Sequence, residues 1–369
     1  MRLHVDQRHE RVLEIVRLRG SLRVTELADE LGVSTVTVRR DVETLAEKGR
    51  LRRMHGAVVW PEQPAAGEPG GRSAERAPRD GDGPVLGMVI PTVAHYFTDI
   101  VRGARKAVAE QGGRLVLGLS QYLAEEDEAQ ADRLLASGAD GLLLAPSWGW
   151  GAPEPGREEW LLRREVPTVL MERWVPPVSP AAELDRVRSD SAHGMAIAVR
   201  HLASLGHGKV AMIAPESPHA PQLRGGYAAA VEALGLTPVS PWRGGETSES
   251  ERYDTTLDYL CALHAEGVRA AIVHNDSDAV VLVPRLHARG IKVPEDMAIV
   301  AYDDLVAGLS EIPLTAVAPP KAAVGEFAAR LLLTRIAERS SGDAGARLPR
   351  QHVDLLPHLR VRASCGSAG

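Results

Sequence analysis

The chain has little cysteine, few aromatic residues and no long apolar run. Of its 369 residues, two are cysteines and 4% are Phe, Trp or Tyr. Two cysteines are too few for a disulfide framework, so we expect both to remain free thiols in a reducing compartment. No stretch of about 18 apolar residues occurs, and such a stretch is what a membrane-spanning helix needs. The composition therefore predicts neither a disulfide-stapled nor a membrane protein.

The amino terminus also lacks the apolar core of a signal peptide, because charged residues recur through its first twenty positions. We therefore expect a cytoplasmic protein. With 44% hydrophobic residues and a formal net charge of −6, the chain has a globular composition, which excludes a wholly disordered protein. Its length predicts two or three domains.

Charge is unevenly distributed along the chain. Residues 1–60 contain 12 Lys and Arg against 9 Asp and Glu, a net charge of +3, whereas the remainder contains 31 against 40, a net charge of −9. A basic head on an acidic body indicates a nucleic-acid-binding module joined to a part that does not bind nucleic acid.

The boundary between head and body is rich in proline and glycine. Five Pro and five Gly occur among the 24 residues of 61–84. Such a stretch buries too little apolar surface to offset the entropy of ordering, so it predicts a flexible linker. We divide the chain into a head at 1–60, a linker at 61–83 and a body at 84–364.

The body alternates short apolar runs with amphipathic stretches. The runs are 85–90, 115–119, 141–145, 166–171, 210–214, 270–274 and 298–302. A strand–helix–strand spacing of about 25–30 residues is typical of βαβ units and parallel sheets. The body is too long for one such sheet. We therefore predict an α/β fold with two lobes, each a doubly wound parallel sheet.

The head has the pattern of three helices followed by a hairpin. Helices are expected at 8–18, at 25–31 and from the Ser34 cap to about 48, with Val38, Val42 and Leu45 facing inward. Residues 49–59 are expected to form a small hairpin that carries arginines. A compact three-helix unit with a hairpin predicts a winged helix-turn-helix.

The segment VTELADELGVSTVTVRRDVETLAEKGRLRRMHGAVV resembles the DeoR-type winged helix-turn-helix. The resemblance implies binding to double-stranded operator DNA, with phosphate contacts mainly from arginines and base contacts mainly from the third helix. The residues expected at the DNA are Ser34, Thr35, Val36, Thr37, Arg39, Arg40, Arg52, Arg53 and His55. The alternative is that Arg39 and Arg40 only solvate the helix and pair with Asp41 or Glu43.

Polar and aromatic side chains follow successive apolar runs of the body, where the predicted strands end. Ligands of open α/β sheets bind beyond the carboxyl ends of the strands, so we expect these side chains to meet. Carboxylate and amide groups engage pairs of hydroxyls, and aromatic faces cover the C–H surface of a ring, which together predict a small sugar as effector. The effector-binding candidates are Tyr96, Phe97, Trp148, Glu172, Arg173, Arg224, Asn275 and Asp303.

Several of these positions have a structural alternative. Asp276 and Asp304 stand where a helix is expected to begin, so N-capping is their expected role. The tryptophans at the strand ends fit either ligand binding or packing of the lobes; they are Trp148, Trp150 and Trp174. His201 and His207 have no metal-like partners, and we expect them to be structural.

The charges of the candidate pocket predict a neutral sugar. Glu172 and Asp303 are balanced by Arg173 and Arg224, so the formal charge is near zero. A phosphate group adds about two negative charges for which no surplus of cations is seen.

The body resembles the effector domains of the LacI/GalR repressors, which share the periplasmic-binding-protein fold. The resemblance is carried by VLGMVIPTVAHYFTDIVRGARKAV, ADGLLLAPS, DSAHGMAIAVRHLASLGHGKVAMIA, HNDSDAVVLVPRLHARGIKVPEDMAIVAYDD and LLPHLRVRASC. It implies effector contacts from Phe97, Glu172, Arg224, Asn275 and Asp303. The chain departs from the family at three places. Glu172 stands where Asp is usual, Arg224 is offset by one residue, and Ala318-Pro319-Pro320 replaces a stretch that often offers Arg and Gln.

Together the two halves predict a ligand-responsive transcriptional regulator, a homodimeric repressor of carbohydrate-use genes. The alternatives are a solute-binding component of a transporter and a sugar-processing enzyme. The attached DNA-binding head argues against the first. Against the second, the sequence has no G-x-x-x-x-G-K, H-E-x-x-H or G-x-S-x-G motif, and we expect neither a cofactor nor a metal.

Overall fold

The computed structural model describes residues 9, 12–13, 21–23, 27–28, 33, 35–47, 52–54, 57–59, 83–93, 96–148, 156–242, 244, 249–341 and 348–366. The chain divides into two units, Met1–Pro78 and Arg79–Gly369, which are treated separately below. The predicted linker at 61–83 lies outside the described residues except for its last position. Within the described ranges, no helix is long and apolar enough to cross a membrane.

The first unit combines a helix with a small antiparallel sheet. Its elements are β1 (Ser21–Arg23), α1 (Thr35–Glu47), β2 (Arg52–Met54) and β3 (Ala57–Val59). β2 pairs with β3 as the predicted hairpin, with Arg53 opposite Val58. β1 was not predicted, and it pairs with the other edge of β3 to give the strand order β1-β3-β2.

The apolar face of α1 forms the core of the first unit. Val38, Val42 and Leu45 are buried, as their i, i+4, i+7 spacing predicts. They pack against four buried residues from the regions of the first two predicted helices, namely Val12, Leu13, Leu27 and Ala28. The predicted inward face of this helix is therefore confirmed.

The second unit alternates strands and helices throughout. In chain order its elements are β4 (Val85–Ile90), α2 (Tyr96–Ala109), β5 (Arg114–Leu119), α3 (Ala124–Ala136), β6 (Gly141–Leu144), α4 (Glu159–Leu162), β7 (Thr168–Met171), β8 (Asp185–Ser189), α5 (Ser191–Ser204), β9 (Ala211–Ile213), α6 (Ala220–Ala233), α7 (Glu249–Ala265), β10 (Ala270–Val273), α8 (Asp276–Ala288), β11 (Ala298–Tyr302), β12 (Thr315–Ala318), α9 (Lys321–Ser341), β13 (His352–Leu355) and β14 (His358–Arg360).

These strands form two sheets, each the centre of one lobe. Lobe 1 has the order β13-β8-β7-β6-β4-β5, and all of its pairs are parallel. Lobe 2 has the order β14-β12-β11-β10-β9. Its pairs are parallel except at the edge, where β14 runs antiparallel to β12 with Leu359 opposite Val317.

The predicted α/β fold with two lobes is confirmed, and the path of the chain explains why one edge strand, β14, is antiparallel to its neighbour. β13 ends at the carboxyl edge of the lobe 1 sheet, and only two residues separate it from the start of β14. The chain thus enters lobe 2 at the carboxyl edge of β12 and has to run away from it, antiparallel to its neighbour.

The lobes are joined by three crossings at these carboxyl edges. The chain passes between lobes after β8, after β12 and after β13. The first and third crossings are tied together, because the Asp190 amide donates to the Leu355 carbonyl at 2.9 Å. Both sheets consequently present the ends of their strands to the same cleft, where ligands of such folds bind.

Candidate functional site in the cleft between the lobes

Three of the predicted effector residues lie together in the cleft. Tyr96 begins α2 in lobe 1, and its hydroxyl lies 3.4 Å from Ser189 Oγ. Burial raises the pKa of Tyr96 well above its usual value, and the charges of Glu172 and Asp303 raise it further. The charges of Glu172 in lobe 1 and of Asp303 in lobe 2 therefore both affect the hydroxyl group of Tyr96.

Glu172 follows β7 and is 1% exposed. Its carboxylate accepts hydrogen bonds from the Ser189 hydroxyl at 2.9 Å and from the Ser189 amide at 3.2 Å. Desolvation by burial raises the pKa of Glu172 to about 7, although the hydrogen bonds from Ser189 oppose the rise. Near neutral pH this group is present both as a carboxylic acid and as a carboxylate, so it can donate to or accept from a hydroxyl group.

Asp303 follows β11 in lobe 2 and is 8% exposed. Its carboxylate lies 4.0 Å from His274 Nε2, and its backbone carbonyl accepts a hydrogen bond from Lys321 Nζ. Burial raises the pKa of Asp303, and the nearby charges of His274 and Lys321 oppose that rise.

The turn that carries Asp303 is strained and held by charged side chains. Asp303 and Asp304 both have positive φ, 96° and 49°, which is unusual for residues other than glycine. Asp304 pairs with Arg362 at 2.7 Å and with Arg360 at 3.1 Å. Asp276 Oδ2 accepts hydrogen bonds from the backbone amides of residues 305, 306 and 307, at 2.5, 2.6 and 3.0 Å.

The expected capping roles of Asp276 and Asp304 are therefore wrong. The N-cap of α8 is Asn275, whose side chain accepts from the Asp278 amide at 3.1 Å. Because the helix begins at Asp276 itself, this carboxylate is free to bind the neighbouring turn. Asp304 does not stand at the start of an α-helix, because the next one along the chain, α9, begins at Lys321; Asp304 pairs with arginines instead.

Two predicted aromatic contacts pack in the interior of lobe 1. Phe97 is 4% exposed and belongs to the same buried cluster as Leu86 and Ile100. Trp148 is buried in a second cluster beside Trp160, and its Nε1 has no hydrogen-bond partner among the described residues. Trp150 lies outside the described residues. The structure thus gives Trp148 the packing role that the sequence left open, and it places Phe97, which was predicted only as an effector contact, in a packed cluster as well.

The two predicted arginines occupy different surroundings. Arg173 is buried and donates to the carbonyls of Ala145 at 3.2 Å, of Glu172 at 2.9 Å and of Pro146. The side chain of Arg224 is 42% exposed and pairs with Glu216 at 2.5 Å. The described contacts of Arg224 are thus with Glu216 and with the Ala214 carbonyl, and none of them is with Glu172 or Asp303.

Sequence reasoning missed four residues of the cleft. Ser189 ends β8 and Lys321 follows β12, two strands that were not predicted. His274 closes a predicted run, and His219 caps α6, five residues beyond another run. The ring of His219 lies 5.6 Å from that of Tyr96, and burial lowers the pKa of His219 to about 3, helped by the charges of Arg173 and His274. Both His219 and His274 lie between the last apolar residue of a run and the start of the next helix. Treating every polar residue in such segments as a candidate would have included them.

A separate cavity of about 670 Å³ lies at the opposite edge of the lobe 1 sheet, next to the amino end of β7. Its buried cation, Arg335, already pairs with Asp185 at 2.8 Å and with Glu338 at 3.0 Å. The charge of this buried arginine is thus already met by two carboxylates, and we assign this cavity no ligand.

The predicted DNA-binding residues are described only in part. On α1, Arg40 is exposed and Thr37 is half-buried, whereas the side chains of Thr35, Val36 and Arg39 are outside the described set. Arg52 and Arg53 lie on β2, where only the backbone is described, and Ser34 and His55 are not described. Asp41 is buried 3.1 Å from His9.

Comparison with known proteins matches both units. A DeoR-like helix-turn-helix domain model matches residues 8–64, and a periplasmic binding protein-like domain model matches residues 199–365. The ribose operon repressor of Escherichia coli is 29% identical over 285 residues, covering 76% of this chain and 81% of the repressor. The arabinose metabolism transcriptional repressor of Geobacillus stearothermophilus is 26% identical over 347 residues, covering 92% and 89%.

Among solved structures, the complex of the transcriptional regulator CelR with cellobiose matches with a TM-score of 0.61 and 24% identity, covering 90% of this chain and 91% of that one. These relatives are transcriptional regulators, not enzymes. The chain thus matches a DeoR-like helix-turn-helix domain in its first part and a periplasmic binding protein-like domain in its last part, and it is similar to bacterial transcriptional repressors.

Proposed function

We propose that this protein is a repressor of carbohydrate-use genes whose binding to operator DNA is changed by a small sugar in the cleft. The observation that carries the proposal is the placement of two buried carboxyl groups, Glu172 from lobe 1 and Asp303 from lobe 2, close enough to Tyr96 that both of their charges raise its pKa. A ligand bound between them contacts both lobes and thereby favours one arrangement of the two.

The chemistry of the cleft fits a polyhydroxylated ring. Carboxyl oxygens engage neighbouring hydroxyl groups, and a half-protonated Glu172 serves as donor or acceptor. Relatives named for ribose and arabinose, and a neighbour solved with cellobiose, support a sugar as effector.

The charge balance of the cleft supports a neutral sugar, although through partners other than those predicted. The positive charge of Arg173 acts on buried Asp127, and that of Lys321 acts on Asp303. Among the described residues of the cleft this leaves no surplus of cations for a phosphate group.

The proposal includes a homodimer in the cytoplasm that binds double-stranded operator DNA through its heads. Two-fold symmetric heads read half-sites about one helical turn, or a multiple of it, apart. Sedimentation velocity at micromolar concentration is expected to give twice the chain mass. A monomer both with and without operator DNA would contradict this part.

A thermal-shift panel tests the effector. It contains D-ribose, L-arabinose, D-xylose, D-glucose, D-galactose and cellobiose, with ribose 5-phosphate and glucose 6-phosphate as phosphorylated controls. A sugar at 100 times its dissociation constant adds about 2.7 kcal/mol of stability. We expect at least one neutral sugar to stabilise the protein and neither phosphate to do so. Tight binding of phosphorylated sugars alone would overturn the assignment.

A further inference from the structure

Lys321 is a buried cation at one of the crossings between the lobes. It follows Pro319-Pro320, begins α9 and is 6% exposed. Its sequence position gave no sign of a site residue, because the strand before it was not predicted. α9 belongs to lobe 1, whereas β12, which it follows, belongs to lobe 2.

The ammonium group of Lys321 contacts both lobes. It donates a hydrogen bond to the backbone carbonyl of Asp303, in the strained turn of lobe 2. It also lies 5.2 Å from the centre of the Tyr96 ring in lobe 1, within the range of a cation–π interaction. One charged group thus joins two residues that we place in the effector site.

A cation at this place is costly. Burying a charge is unfavourable, and although the Lys321 charge acts on Asp303, none of the described carboxylates comes within salt-bridge distance of Lys321. The amino end of a helix also carries partial positive charge, and the first turn of α9 has no acidic residue to offset it. A neutral side chain that only filled this space would avoid both costs.

We propose that Lys321 is a positioning residue of the effector site, which holds the Asp303 turn of lobe 2 against Tyr96 of lobe 1. The positive charge of Lys321 strengthens both its hydrogen bond to the Asp303 carbonyl and its contact with the Tyr96 ring. Both contacts weaken if the charge is removed. The assignment of this role to sugar binding rests on the proposed function. The contact between the lobes itself does not.

Hydrogen–deuterium exchange of the full chain without any sugar tests the contact between the lobes. In Lys321→Gln, amides of 303–309 in lobe 2 and of 96–109 in lobe 1 are expected to exchange about fivefold faster or more, because both segments lose the same restraint. Lys321→Arg, which keeps a charge able to donate and to stack, is expected to restore most of the protection. The control is Lys209→Gln, because Lys209 also donates to a carbonyl, that of Glu266, but at the surface and away from the cleft.

Tyr96→Leu gives a reciprocal test that does not depend on the folding of the lysine variant. Removing the ring in lobe 1 is expected to speed exchange at 303–309 in lobe 2. Unchanged exchange in both segments of Lys321→Gln, or a change in lobe 2 alone, would overturn the proposal.

A sugar titration then tests the link to effector binding. D-ribose and L-arabinose are titrated into wild type, Lys321→Gln and Lys209→Gln by calorimetry, and we expect only Lys321→Gln to lose about tenfold or more in affinity for the sugar that binds. Equal affinity in all three proteins would overturn the positioning role. If wild type binds neither sugar, the result counts against the proposed function. The exchange data still show whether Lys321 joins the two lobes.

Discussion

Glu172 and Asp303 share a backbone conformation that side chains other than glycine seldom adopt, with φ of 52° and 96°. Such strain costs on the order of 1–3 kcal/mol per residue and persists where the surroundings enforce it. Around Asp303 the enforcing groups are charged, because Asp276 binds the following amides and Lys321 binds the Asp303 carbonyl. The strained residues are thus the two whose carboxyl groups we propose to contact the effector. Backbone strain of this kind clusters at ligand-binding sites.

The raised pKa of Glu172 predicts a pH-dependent stability. Folding raises this pKa from 4.5 to about 7. Between pH 4.5 and about pH 7 the folded protein binds more protons than the unfolded chain. The stabilising contribution of Glu172 to the free energy of unfolding is therefore fully present below this pH range and is lost as the pH rises through it. Glu172→Gln, which stays neutral, is expected to gain ~1–3 kcal/mol relative to wild type between about pH 5 and pH 8.

Urea unfolding of both proteins at the two pH values measures this difference. The control is Glu232→Gln, which changes an exposed glutamate of α6. A free-energy difference between Glu172→Gln and wild type that does not change with pH would show that Glu172 ionises normally in the folded protein.

Residue identities in the site were predictable where a long apolar run preceded them. Glu172 and Asp303 follow runs that became β7 and β11, so the rule about carboxyl ends found them. The ion-pair partner of Arg224 was not predictable, because nothing in the sequence indicates that Glu216 lies beside it in the fold. Lys321 was hidden for the different reason that β12 was not recognised as a strand.

At the scale of elements, most strands with continuous apolar sequence were predicted, whereas the short apolar β12 and the charged β8 were not. The runs at 85–90 and 298–302 have the same bounds as β4 and β11. β8 was missed because its sequence, DRVRS, reads as polar. Asp185 within it is buried and is neutralised by Arg335, which lies 150 residues later in the chain, and no local pattern reveals such a partner.

The helices α2 and α9 cross in close backbone contact, and glycine is what permits it. A Cβ atom at Gly103 would lie 1.9 Å from the Ala322 carbonyl oxygen, and one at Gly325 would lie 1.9 Å from that of Ile100. Both helices begin at the cleft, with Tyr96 and Lys321 as their first residues. The close crossing therefore fixes the spacing of these two side chains.

Substitution at this crossing is expected to be costly. Gly103→Ala should lower the free energy of unfolding by ~2–4 kcal/mol, because backbone rather than a flexible side chain has to move. The matched control is Gly225→Ala in α6, where no atom lies within 4 Å of the added methyl group. That variant should gain ~0.5–1 kcal/mol, since alanine loses less conformational entropy in a helix. Equal unfolding midpoints in urea for the two variants would contradict the tight crossing.

The helix α1 is expected to read the operator through its outer face. Arg39→Ala should reduce discrimination between operator and random DNA by roughly 1–3 kcal/mol if Arg39 contacts a guanine. Arg52→Ala should weaken binding to both DNAs and reduce the slope of log affinity against log salt by about one.

Fluorescence anisotropy with a selected operator measures these effects. Arg105→Ala, which removes an exposed arginine of α2, controls for the loss of charge. Operator affinity that survives the double substitution Arg39→Ala/Arg40→Ala would remove these residues from the DNA interface.

At the scale of the whole molecule, the question is how the cleft influences the head. The sequence predicts a flexible linker at 61–83, and a coil of about 24 residues would have a root-mean-square span of roughly 25 Å, too loose to transmit a rigid rotation. We therefore expect coupling to run through the geometry of the dimer or through docking of the heads on the body.

The central claim is that one cleft both binds the sugar and controls operator affinity. Its most direct test is operator affinity, measured by anisotropy with and without a saturating amount of the sugar that stabilises wild type most in the thermal-shift panel. Asp258→Ala, which removes an exposed carboxylate of α7, is the control for Asp303→Ala. In wild type and in the control we predict that saturating sugar changes operator affinity by about tenfold. Asp303→Ala should bind operator normally without sugar and remain unchanged by it. An Asp303→Ala protein that responds to the sugar as fully as wild type would contradict the account.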